Sequence, residues 1–148
     1  MPVTLQTIFC AWWMMRRATL SNLKLQKLVY YAQGFHLAIH GKQQFPQAIE
    51  AWEHGPVVPW LYRQLRQHGA EPVPRPENGI DSSKYPAEVR ELLDDVWSVY
   101  GQYSAANLRP ITHAEPAWKE AHAMGPSSPI SEQTMKEYFS TQLVHAKG

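Results

Sequence analysis

His36 and His40 stand four positions apart, the spacing that puts two imidazoles on one face of a helix, where both can bind a metal ion. With His113 or Glu115 as a third ligand they would form the site of a small metal-dependent enzyme. The structural reading is stronger. His40 falls in the last turn of the helix, where a ring N–H complements unpaired carbonyls and the negative dipole end. His36 shares the apolar side of Val29, Ala32 and Ile39, and Leu37 stands where a metalloprotease motif needs glutamate. Cys10 beside a histidine could act as a nucleophile, but its neighbours Ala11 and Trp12 put the thiol in a core, where burial raises its pKa. Asp94 and Asp95 are adjacent on a helix and point apart. There is no glycine-rich phosphate loop and no G-x-S-x-G elbow. These residues therefore predict no catalytic site, no metal and no cofactor.

The whole chain bounds the answer further. Its 148 residues fit one domain spanning 1–148, and 44% apolar residues suffice for a packed core without a staple. A net charge of +1 argues against nucleic acid as the main partner, because such binding needs a positive field to release phosphate counterions. A single cysteine permits no intrachain disulfide and suits a reducing cytoplasm. The most apolar stretch, Ile8 to Met15, is far short of the roughly 20 residues a bilayer requires. A membrane is not expected as a partner.

Helical punctuation dominates the order of elements. A first helix is expected over about Thr4–Arg17, with Trp12 and Trp13 anchoring it. Ser21 or Asn22 caps a longer helix that ends near His40, with Gly41 at C′ and Lys24, Lys27 and Gln33 on a solvated face. Ile49-Glu50-Ala51-Trp52 alternates as a short strand that His54-Gly55-Pro56 breaks. Pro59 opens a helix closed by Gly69, and residues 70–85 read as a surface loop with short strand residues near Val73 or Ile80. Pro86 opens the next helix and Gly101 stops it. Ser104 caps a short segment that Pro110 interrupts, and Pro116 starts another helix. Ser131 caps the last, over about 131–146, with Ile130 stapled onto Met135. The fold class is mainly α, a compact multi-helix bundle with a minor β element.

Two rigid corners stand outside ordinary core and cap logic. One is Glu50 to Pro59, which gathers Trp52, His54, Gly55 and Pro56. The other is Leu108 to Trp118, with His113 turned inward to bond backbone. Together with Asn22-Leu23-Lys24-Leu25-Gln26-Lys27-Leu28-Val29-Tyr30-Tyr31-Ala32-Gln33-Gly34 and His36, these segments resemble the three motifs of the Panacea antitoxin domain, a phage-associated family with GepA-like and SocA-like members. The resemblance runs from about Ile8 to Ala121.

That resemblance implies a mainly helical antitoxin that binds and neutralises a protein toxin, usually encoded by a neighbouring gene. SocA-like members also act as adaptors that deliver the toxin to a cytoplasmic protease, and this is the alternative reading. On the resemblance, His36, His54, Gly55, Pro56, His113, Glu115 and Trp118 are structural motif residues. Six Trp and seven Tyr exceed what a core of this size needs, so some of them are expected to anchor a partner. The expected partner-binding set is Tyr30, Tyr31, Trp52, Trp60 and Tyr62, with Lys27 and Arg63 steering charge. A homo-oligomer stays open.

Overall fold

The computed structural model describes residues 10–16, 18–69, 71–74, 83 and 85–147. The expected start of the first helix at 4–9 and most of the 70–85 loop, including Ile80, lie outside the described residues. Helix α1 (residues 10–15) leads into α2 (Asn22–His40), whose Ser21 Oγ accepts from Lys24 N at 3.3 Å. Gly41 ends α2 at φ +74°, a conformation that glycine adopts without steric cost, and its N–H donates to Leu37 O. Val73 N donates to Leu20 O at 2.8 Å, which ties the start of the 70–85 segment to the residues before α2.

Strands β1 (Glu50–Trp52) and β2 (Gly55–Val57) form an antiparallel hairpin around Glu53-His54, with Trp52 opposite Gly55. The sequence expectation was that His54-Gly55-Pro56 ends the strand; instead it turns the strand back. Gly55 at φ +126° makes the tight turn, and Pro56 is tolerated because β2 is an edge strand. The other edge is β3 (Ser128–Pro129), which pairs with β1 and carried no strand signal of its own.

Helix α3 (Pro59–Leu65) runs into a 3₁₀ turn (Arg66–His68) that Gly69 closes. Helices α4 (Ala87–Tyr100), α5 (Ala105–His113), α6 (Pro116–Ala123) and α7 (Glu132–Lys147) complete the mainly α architecture. Helix α5 continues through Pro110 rather than stopping there. The carbonyl that Pro110 leaves without its helical donor belongs to Ala106, which is exposed and can bond water. At α7, Ser131 Oγ accepts from Thr134 N at 2.9 Å, and Ile130 and Met135 are both buried, as a capped and stapled start requires.

Helix α2 is the centre of the fold, and it is buried nearly all round. The expected solvated face does not exist. Gln33 and Lys27 are enclosed, and Lys24 reaches Gly101 O at 2.7 Å. The buried polar groups instead fasten loops onto the helix. Gln33 donates to Phe45 O and accepts from Gln44 N, while Gln26 accepts from Val58 N and donates to Asn22 Oδ1. Each bond removes the penalty of an unpaired polar group in the interior. On another side α2 meets α7 so closely that a methyl group at Gly34 would overlap the Phe139 ring. The chain's own aromatic residues fill the space around that crossing. Tyr31 stacks on Tyr100 at 3.7 Å and 6°, and Phe139 meets Tyr30, Tyr31 and Phe35 edge-on or tilted.

Candidate functional site

The expected site residues separate into an interior set and a surface set. Inside, Tyr30 and Tyr31 are fully buried, so a partner meets neither ring while the helices stay packed. Their hydroxyls donate to the two oxygens of Glu115, at 2.7 and 2.8 Å, and Tyr138 of α7 donates to the same carboxyl. Glu115 precedes the first turn of α6 without capping it. Its side chain turns into the core, and burial pushes its pKa up to about 7 against the pull of the three hydroxyls. Thr112 Oγ1 bonds back to the Leu108 and Arg109 carbonyls.

Cys10 and His36 lie inside as well, whereas His40 is exposed and His113 half-buried. Burial holds the Cys10 thiol up to about 12, so it is not a thiolate at neutral pH. His36 Nδ1 engages Lys42 O at 2.7 Å, and burial lowers the basicity of its ring. His40 lies 4.6 Å away, ring to ring. Among the described residues no group of three or more His, Cys, Asp or Glu side chains is placed to hold a metal ion.

The second set, with Trp118 and Pro56 buried and His54 and Arg63 exposed, gathers where the β1–β2 hairpin meets α3, α5 and α6. The Trp118 indole donates to Trp52 O at 2.9 Å and is sandwiched between His113 at 3.9 Å and His122 at 4.3 Å. His113 also bonds the backbone of Glu53, as its inward turn suggested, while its Nε2 has no partner. At the turn, Arg109 lies 3.7 Å from Glu53 and 3.4 Å from the exposed His54, and Glu53 lies 3.8 Å from His122. The half-buried rings of Trp52 and Tyr62 meet edge-on at 5.0 Å, with the Trp52 indole bonded to Glu50. Trp60 lies half-buried against the core, and Arg63 is exposed, both on α3. Pro56, within β2, is buried.

Lys27 joins the two sets. It is 2% exposed and lies beneath Gly55, and desolvation, aided by the Arg109 charge, lowers its pKa to about 8. Sequence reasoning missed Tyr138 and Tyr100 around Glu115, and Arg109, Glu53 and His122 around the stacked rings. Only the crowding of aromatic and charged types into the two corners pointed to them.

A bonded aromatic face thus stands over the hairpin, with a carboxyl locked in the core behind it. A family model described as Antitoxin SocA-like, Panacea domain, matches residues 25–119, which include α2 from Leu25 onward, the hairpin, Glu115 and Trp118. The chain belongs to that family. Antitoxin SocA of Caulobacter vibrioides (strain NA1000 / CB15N) is 29% identical to it over 140 residues, covering 84% of this chain and 74% of that protein. No solved structure matches.

Proposed function

We propose that this protein is a cytoplasmic, non-enzymatic antitoxin that neutralises a protein toxin by direct binding, the toxin being the product of a neighbouring gene. The observation that carries the reading is the family match over residues 25–119, together with similarity to a protein named as an antitoxin across most of the chain. The contact is assigned to the face built from Trp52, Tyr62, His54 and Arg109, with Trp60 and Arg63 on the adjoining helix. Amphipathic rings held by neighbours give up little conformational entropy on docking, which suits them to anchoring. No helix among the described residues is long and apolar enough to cross a membrane.

The test is induction of the adjacent gene alone and together with this protein, in hosts with and without their main cytoplasmic proteases. Toxicity, rescue and co-purification in both hosts support direct neutralisation. Rescue confined to the protease-containing host replaces it with delivery for degradation. A harmless neighbour that forms no complex refutes the reading. Changing Trp60 and Tyr62 to Ala is expected to weaken the complex at least tenfold with the fold retained, and an unchanged dissociation constant rejects this face.

A further inference from the structure

Lys27 is the anomaly of the interior. Every other buried polar side chain of α2 has a partner, yet among the described residues no carboxylate or hydrogen-bond acceptor reaches the Lys27 ammonium. Its Cε and Nζ lie 3.1 and 3.7 Å from the point where a Cβ on Gly55 would stand, and Thr112 Oγ1 lies 3.0 Å from that point. Any side chain at 55 would press into the lysine. Glycine leaves the room for it, directly under the hairpin turn.

A second cation reinforces the first. Arg109 is near enough to Lys27 for their charges to repel, which raises the cost of keeping both protonated. The acid at this turn, Glu53, engages Arg109 at 3.7 Å and His122 at 3.8 Å, and its side chain is 74% exposed. Such a pair is weak and readily exchanged. An ammonium that is nearly enclosed, meets no acceptor among the described residues and lies close to a guanidinium suits an anion that no described residue supplies. Carboxylate fits better than phosphate. An Asp or Glu can take Glu53's place on the Arg109 fork, whereas a dianion would meet Glu53 at close range.

We infer that Lys27 and Arg109 form a carboxylate-binding site beside the β1–β2 turn, filled by an acidic side chain of the partner protein. The inference rests on the antitoxin reading only for the owner of the carboxylate. The site itself is testable on the isolated chain.

In a chain carrying ¹³C-labelled lysine, the Lys27 Cε–Hε signal is assigned by its loss in Lys27→Met and followed against pH. Sodium formate, sodium phosphate and sodium chloride are compared at matched ionic strength. Formate is expected to raise the Lys27 midpoint by about half a pH unit or more beyond chloride, and Arg109→Gln, at a part-exposed position, is expected to reduce that increment. Equal midpoints in formate and chloride overturn the site. A phosphate shift exceeding that of formate overturns the carboxylate assignment. With the neighbouring gene's toxin, Arg109→Gln and Lys27→Met are each expected to weaken the complex about tenfold or more. A formate shift alongside an unchanged complex overturns the partner's role. A formate shift with no toxin complex at all upholds the site and refutes the antitoxin reading alone.

Discussion

The Tyr31 hydroxyl donates to Glu115 Oε2 at 2.8 Å, so a residue in the middle of α2 holds the carboxyl that opens α6. Because burial raises the Glu115 pKa to about 7, the folded chain keeps this proton at a pH where the unfolded chain, titrating near 4.5, has released it. The resulting stability is fully present below about 4.5 and is lost as pH rises through 7. Glu115→Gln cannot titrate. From about pH 5 to about pH 7 the wild type is expected to lose stability relative to that variant, by on the order of 1 kcal/mol per pH unit crossed, with the gap levelling off above that. Urea denaturation of both proteins reads the difference, and a gap that is flat or of opposite slope contradicts it. The comparison with the variant matters, because buried His36 titrates with the opposite sign.

Cys10 is fully enclosed and its thiol is held up to about 12. A thiol-specific chromogenic reagent is expected to label native protein far more slowly than protein unfolded in denaturant. Rapid stoichiometric labelling of the native form would show that α1 does not stay docked.

Gly34 marks the closest approach of α2 and α7, where an added methyl meets the Phe139 ring. Gly34→Ala is expected to destabilise by about 1–3 kcal/mol, despite alanine's better helix propensity. Pairing it with Phe139→Leu, which makes room, should recover part of the loss. A neutral or stabilising Gly34→Ala in chemical denaturation would refute the contact.

Trp118→Phe keeps an aromatic ring between His113 and His122 but removes the indole N–H that holds Trp52 O. A loss of about 1 kcal/mol is expected, with faster amide exchange in β1 while α2 keeps its protection. Uniform exchange across the fold would show that this bond does not govern the hairpin.

The elements legible in the sequence were those with local causes. The α2 ends follow from Ser21 and Gly41, and the α7 start follows from Ser131 and Ile130. The β1 alternation was legible too. What periodicity hid was the second layer around α2. Lys27 and Gln33 fall on a face that heptad logic assigns to water, and only the chain folding back over them buries them. The hairpin partner of β1 was masked because Gly55 and Pro56 look like breakers, and in an edge strand they are not. At the candidate site, His113 and Trp118 were legible as a rigid corner. The pairing of Glu115 with Tyr30 was not, since nothing local links residues 85 positions apart.

That same separation governs how the chain acquires its shape. The central helix is made early in synthesis, yet its buried tyrosines have no acceptor until α6 emerges and no lid until α7 packs against Gly34. Closure of so distant a loop makes for a late, slow nucleus. A growing chain therefore presents an apolar, cation-bearing helix to the cell's quality-control machinery until α7 has left the ribosome. Supply of folded protein is then sensitive to interrupted translation in a way that its equilibrium stability does not reveal.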